Sequence, residues 1–466
     1  MFNKTAISIF AAIGISCIQA WGHGVDVRSL GAAGDGTNDD TPAFRAAIAE
    51  IAKQGGGTVH IPRGTYRITE SLHLPTGITL RGENQRASRL LAPPGADFDL
   101  LKIDGAEDVV ISDLSLMEEN HGTAKPNGFG ISINNGTKFL LVENVSVTGF
   151  SSGISLGRAE EKEVSQIIFR NCRTERSSRG FGFDLANCHT VLLDSCFAYE
   201  HWLDGIKFRR LTRDVTVRGG ESSRNGLSRL SNPKWNGNGV DGYAGGNGFV
   251  IDGLVAEHNQ GSGIYIKTGS AKVIGEGMVG NGLISNVRCR FNIGSGLDIN
   301  RSGGDLPKGG DKLSVLLGDI VVSGGIFERN TRAGIYLRGR NLTLLAPIVK
   351  RNDNAGIEIA SGGDITIIGA LVSANSQAAA GKWPGIAINT AGDKATVRRL
   401  TIRDGVINGV DSEFLSDVDS VEGQTVWHKV AIQMSPNNNE ITIEGMRMRN
   451  WTKPGPPVEG GIADEK

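Results

Sequence analysis

A short unit led by glycine, with apolar residues at its second and fourth positions, recurs along most of this chain. It reads GISI at Gly130, GISL at Gly153, GFDL at Gly182, GIKF at Gly205 and GYAG at Gly242. It continues as GIYI at Gly263, GLDI at Gly296, GIYL at Gly334, GIEI at Gly356 and GIAI at Gly385. Several intervals are 21 to 23 residues, and the longer ones read as loops inserted into a fixed unit. Between the glycines lie stretches such as TVLLDSCFAYEH, IVVSGGIFERN and ITIIGALVSAN, which alternate apolar and polar residues with period two. A unit of about 22 residues with short strands, sharp turns and no helical period is one coil of a parallel β-helix. The leucine-rich-repeat alternative lacks its leucine signature and its helical halves.

This repeat overrides the roughly two to four domains that 466 residues would otherwise suggest, because a solenoid grows along one axis without new domain boundaries. It also explains why glycine makes up 66 residues, about twice the usual share of roughly 7%. In-register coils spaced about 4.8 Å apart make a rod on the order of 50 Å long. Asn238, Asn259, Asn292, Asn330 and Asn352 each stand four residues before a repeat glycine. Asparagine and glycine both tolerate a left-handed turn, and asparagines stacked at one corner can form a hydrogen-bonded ladder. His201 replaces a ladder asparagine and is read as a turn residue, and His258 as a residue of the coil surface.

The ends read differently. Residues 1–20 have a positive start at Lys4, a short apolar core and a small-residue site at Ala20, the form of an export signal. The mature protein is therefore expected to be secreted or periplasmic, with no further segment apolar enough to cross a membrane. Residues 21–451 form the β-helix domain and residues 452–466 a flexible tail. Residues 41–54 read as an amphipathic helix capping the open first coil. Thr41 serves as its N-cap, Pro42 as the first helical residue, Phe44, Ile48 and Ile51 as the buried face, and Gly55 as the stop. Cys172, Cys188, Cys196 and Cys289 lack zinc-site spacing and are expected to be small buried residues. Cys172 and Cys196 stand at stacking distance, and a disulfide is open to them outside the cytoplasm. A net charge of −1 gives no basic surplus for nucleic acid, so an anionic ligand would have to be met locally.

In-register stacking places Ser132, Ser155, Asp184, Lys207, Ala244, Tyr265, Asp298, Tyr336, Glu358 and Ala387 in one outward column, with Arg209 and Lys267 two residues further along their strands. Reactive groups concentrate in the middle of the rod. Inserted segments lie there as well, one carrying Trp235 before Asp241 and one beginning near Arg301 after Asp298. Asp184, Lys207, Arg209, Asp241, Tyr265, Lys267 and Asp298 are the candidate catalytic residues, and Asp204, Trp235 and Arg301 the candidate substrate contacts. Asp184 and Lys207, on adjacent coils, can equally form a surface ion pair, and Asp204 and Asp241 can be turn-formers. Asp204 and Asp241 together could also hold a hard cation such as calcium; no other cofactor is indicated.

The segment VDVRSLGAAGDGTNDDTPAFRAAIAEIAKQGGGTVHIPRGTYRI, from Val25 to Ile68, resembles the opening of the pectate-lyase-like superfamily of polysaccharide lyases, polygalacturonase-like hydrolases, mannuronan C5-epimerases and phage tailspikes. That resemblance implies a right-handed parallel β-helix and a carbohydrate partner. GFGFDLANCHTVLLDSCFAYEHWLDG resembles the catalytic stretch of the epimerases: Asp184 fits their aspartate, while Phe181 and Ala186 stand where they carry tyrosine and histidine. The region NGVDG to GSGIYIKTG resembles polygalacturonases, with Asp241 fitting one aspartate and Gly261 and Ser262 replacing an aspartate pair. Lyases of this superfamily often use lysine or arginine as base, which Lys207, Arg209 and Lys267 would supply, with Tyr265 as acid. The expected function is β-eliminative cleavage of an acidic polysaccharide. The alternatives are a hydrolase using two of Asp184, Asp241 and Asp298, a polysaccharide-binding or export protein, and an epimerase-like protein.

Overall fold

The computed structural model describes all residues except 1–23, 121–125, 159–161, 233–236, 244–245, 269–278, 302–316, 390–395, 411–425, 436–437, 451, 453–457 and 460–466. The proposed export signal and Trp235 therefore lie outside the described residues. Arg301 ends the strand Leu297–Arg301.

A typical coil contributes three strands, the first two of which run together in Ile335–Leu345 and Ile357–Ile368. One coil runs Phe183–Ala186, Cys188–Asp194 and Phe197–Tyr199, and the next opens at Ile206–Arg209. Each strand pairs in parallel with its counterpart one coil on, so that Asp184 lies beside Lys207, Cys188–Asp194 runs along Arg213–Arg218, and Ala198 lies beside Ser222. The stretch TVLLDSCFAYEH, which reads as one strand, is broken in two at Ser195, where φ is +54°. Ile206, Val240, Ile264, Leu297 and Ile335 stack inside the rod, all nearly or fully buried. Gly242 is an exception within this interior. The ring of Phe208 occupies the space its side chain would take, with a Cβ there only 2.6 Å from Phe208 Cε2, and Phe208 packs on Phe249 at 5.6 Å.

The register differs from the sequence reading at one coil. Val240 pairs with Ile206 and Ile264, so Gly239, not Gly242, is the corner glycine. Asp241 consequently takes the outward position assigned to Ala244. The corner glycines also act differently from expectation. Gly263 and Gly296 are not left-handed; a Cβ on Gly263 would lie 2.7 Å from the Gly296 carbonyl and 2.9 Å from Asn292 Nδ2, so close approach of the next coil excludes a side chain. The left-handed residue is the one before each ladder asparagine, as at His258, Phe291 and Arg329.

The ladder is continuous and fully buried. Asn292 donates from N and Nδ2 to Asn330 Oδ1, at 3.2 and 2.9 Å, and Asn330 does the same to Asn352 at 3.0 and 2.9 Å. It runs Asn225, Asn259, Asn292, Asn330, Asn352, Asn375. Asn238 is not part of it, because the insertion after Asn225 separates that asparagine from its glycine. A buried histidine closes each end. The His201 backbone N–H donates to Asn225 Oδ1 at 3.2 Å, and the His428 ring Nε2 accepts from Asn375 N at 3.0 Å. Burial lowers both imidazoles to about 3, so they stay neutral. Asn330→Ala removes two donated and two accepted hydrogen bonds and leaves their partners buried. Chemical denaturation should show a loss of about 3 kcal/mol, and an unchanged midpoint would refute a stabilising ladder.

A helix, Thr41–Lys53, packs against the first strands, with Phe44, Ala47, Ile48 and Ile51 buried and Phe44 edge-on to Tyr66 at 5.3 Å. Asp40, not Thr41, is its N-cap. The Thr41 hydroxyl instead donates to Asp39 Oδ1 at 2.6 Å. Within the segment read as a tail, Val458–Glu459 is a strand that pairs with Ile432 and Gln433. All four described cysteines are free and buried, and burial raises the Cys172 thiol well above its ordinary range, with Cys196 beside it. Among the described residues no helix is long and apolar enough to cross a membrane.

Candidate active site

One outward column carries Asp184, Lys207, Asp241, Tyr265, Asp298, Tyr336 and Glu358 on consecutive coils. A second, two residues further along the strands, carries Ala186, Arg209, Tyr243, Lys267 and Asn300. Alternation along a strand points both columns the same way. The structure thus gathers all seven predicted catalytic residues on one face.

Their pairings differ from adjacency. Asp184 does not pair with Lys207. It accepts both Nε and Nη2 of Arg209 at 2.9 Å, a planar fork that lysine cannot offer. At 3% exposure this is no surface pair. Lys207 turns the other way, its Nζ 3.0 Å from Asp241 Oδ2 and 3.6 Å from Asp204 Oδ2. Lys267 Nζ reaches the same Asp241 oxygen at 2.7 Å. Asn238 links the two acids, donating from Nδ2 to Asp204 Oδ1 at 3.0 Å and to Asp241 Oδ2 at 3.2 Å. Asp204 and Asp241 are wholly buried. Asp204, expected to touch substrate, is therefore a scaffold residue, and Asp241 cannot act as an exposed carboxylate.

Burial, and then the neighbouring Asp241 charge, raises Asp204 to about 6. Burial opposes ionisation of Asp241 too, but the ammonium groups of Lys207 and Lys267 outweigh it and hold Asp241 below its ordinary value. Burial works against the charge on Lys267, yet Asp241 and Asp204 raise it above its ordinary value. Lys267 is thus a fixed cation, not a neutral base. Calcium fits this cluster poorly, because a divalent ion on Asp241 would sit against two ammonium groups. Among the described residues no group of three or more His, Cys, Asp or Glu could hold a metal.

Beside this neutralised cluster lies a less saturated pair. Tyr265 and Asp298 are adjacent in register and partly exposed. Asp298 Oδ1 has no hydrogen-bond partner, and burial raises its carboxyl to about 7. Burial, with Asp298 and Asp241 nearby, also raises the Tyr265 hydroxyl, keeping it protonated. Lys267 Nζ lies 4.5 Å from the Tyr265 ring centroid, and Lys207 Nζ 5.0 Å from that of Tyr243. Tyr243 and Asn238 are site residues the sequence reading missed; both follow from the Gly239 register. Glu358, two coils beyond Asp298, is also raised by burial.

A family profile described as rhamnogalacturonase A/epimerase, pectate lyase-like, matches residues 24–97, and one described as a right-handed β-helix region matches residues 103–278. The chain belongs to the pectate-lyase-like right-handed β-helix superfamily. Within it, the chain is similar to mannuronan C5-epimerase AlgE2 of Azotobacter vinelandii, 27% identical over 264 residues, which is 53% of this chain and 23% of that protein. It is also similar to alginate lyase 7 of the same organism, 29% identical over 158 residues, 31% of this chain and 17% of the relative. The chain thus spans less than a quarter of the length of these curated relatives. The solved A-module of Azotobacter vinelandii mannuronan C-5 epimerase AlgE6 shares the superfamily fold at 17% identity and a TM-score of 0.50, with 94% of this chain and all of that one covered.

Proposed function

We propose that the protein is an exported enzyme that cleaves an acidic, uronate-containing polysaccharide by β-elimination. The observation that carries this reading is the Tyr265–Asp298 pair set beside the Lys207–Asp241–Lys267 cluster. Elimination requires a cation to stabilise the charge that develops on the uronate carboxylate, a base for the proton beside it, and an acid for the leaving glycosidic oxygen. Lys267 and Lys207, paired with Asp241, and Arg209, paired with Asp184, line this face with cations. Asp298, with a carboxyl poised near neutrality, takes the proton. Tyr265, kept protonated, gives one to the leaving oxygen. This assigns the base to an aspartate, in place of the lysine the superfamily resemblance implies, because both lysines are committed to Asp241. Relatives named as a mannuronan epimerase and an alginate lyase support a uronate substrate, since epimerisation at C5 and elimination both begin by removing the same proton.

Incubation with polymannuronate and polygalacturonate tests this directly. Elimination creates a double bond conjugated with the carboxylate, so the expected products absorb in the ultraviolet. Shortened chains without that chromophore would overturn the lyase and favour a hydrolase. Asp184 and Asp241 are unsuited to the hydrolase because each is tied to cations. Asp298 and Glu358 are the carboxyls suited to it, both raised by burial and about 10 Å apart across two coils, near the separation an inverting pair needs.

A further inference from the structure

The corner leading into the site face is built from side chains its backbone does not favour. Arg224, His258, Phe291, Arg329 and Arg351 occupy it on five successive coils, with φ between +55° and +58°. The corner between the other two faces of the same coils has the same left-handed backbone and uses Gly219, Gly253, Asn286, Gly324 and Ala346. A β-carbon is disfavoured in this conformation and glycine is not, so the backbone does not account for the long cationic and aromatic residues at the first corner.

Those residues form an ordered row. Each precedes a ladder asparagine, which fixes the coil spacing at about 4.8 Å. His258 stacks on Phe291 at 4.9 Å with the rings 7° from parallel, and the Arg329 guanidinium lies 5.5 Å from the Phe291 centroid. Arginine stacks on aromatic faces in this way while leaving its donors outward. On the adjoining strands cations are neutralised, Arg290 by Glu257 and Lys350 by Glu328. Arg224 and Arg329, both exposed, have no ion pair among the described residues. The chain passes from this corner to the site column within seven residues, from His258 to Tyr265 and from Phe291 to Asp298.

We propose that this corner is a second binding track, which holds a linear carboxylated polysaccharide along the rod and feeds it across to the Tyr265–Asp298 face. The identity of the polymer rests on the function proposed above; the track itself rests on the corner. The test uses the full-length Arg224→Asn/Arg329→Asn variant, because asparagine suits the left-handed backbone and should leave the unfolding midpoint unchanged or raised. In affinity electrophoresis through polymannuronate, the variant should bind about ten-fold more weakly than wild type. Its turnover of a short oligouronate that spans only the site face should be unchanged. Equal retention of variant and wild type would overturn the proposal. So would equally tight wild-type binding to single-stranded DNA of the same charge, which would mark a general anion surface. If wild type cleaves no uronate polymer yet the variant still loses polymer binding, the lyase reading fails and the track stands.

Discussion

Asp298→Asn is expected to lower the rate on a polyuronate by about 10²–10⁴-fold, the usual contribution of a positioned general base. The amide keeps the shape of the side chain and cannot accept the proton. Two further readouts separate a catalytic role from a structural one. Because the base works only when ionised and burial holds it at about 7, wild-type kcat/KM should rise with pH through roughly that value. Stability should move the opposite way. A carboxyl raised in the folded state binds its proton more tightly there than in the unfolded chain. Its contribution is therefore fully present below the unfolded value near 3.8 and lost as pH rises through about 7. At pH 8 the variant, which ionises nothing, should be at least as stable as wild type. A variant that keeps its rate would remove Asp298 from the mechanism. One that loses rate and stability together at pH 8 would make it a scaffold residue.

The repeat by itself makes most of this face legible. Glycine, apolar, outward, apolar is a statement about which side chains point where, and six of the seven catalytic candidates followed from it directly. The failure came at one coil, for a physical reason. The insertion after Asn225 moved the ladder asparagine far from its glycine, while Asn238 happened to stand four residues before Gly242. Spacing therefore points to Gly242 where the register requires Gly239, which puts Asp241 before the glycine and leaves Tyr243 out of the outward columns. The pairings were not legible at all. Register says that Asp184 and Lys207 are neighbours, but it does not say that the Arg209 fork reaches back to Asp184 while Lys207 turns to Asp241. Those choices depend on side-chain length and on which neighbour is more deeply buried. His428, which closes the ladder, follows a segment that breaks the repeat and carried no spacing signal.

Asp241→Asn should be the most destabilising single change at the site, costing about 3–5 kcal/mol, because it leaves buried charges without their partner. Lys207 and Lys267 have 4% and 7% of their side chains exposed, and both ammonium groups point at one Asp241 oxygen. With that charge gone, Asp204 alone faces two cations, Lys207 Nζ at 3.6 Å from its Oδ2 and Lys267, whose charge it also favours. Lost activity in this variant would say nothing about Asp241 as a catalytic acid, since the strand that carries Tyr243 and supports Lys267 would lose its anchor. A double-mutant cycle resolves the matter. Adding Lys267→Met to Asp241→Asn removes one of the two buried cations that Asp241 held and should recover part of the stability, so that the double variant is more stable than Asp241→Asn alone. Urea denaturation of the three variants measures this. If Asp241→Asn is neutral, or if Lys267→Met adds its full cost on top, the two residues are not coupled. The cluster would then not be the scaffold on which the Tyr265–Asp298 chemistry is built.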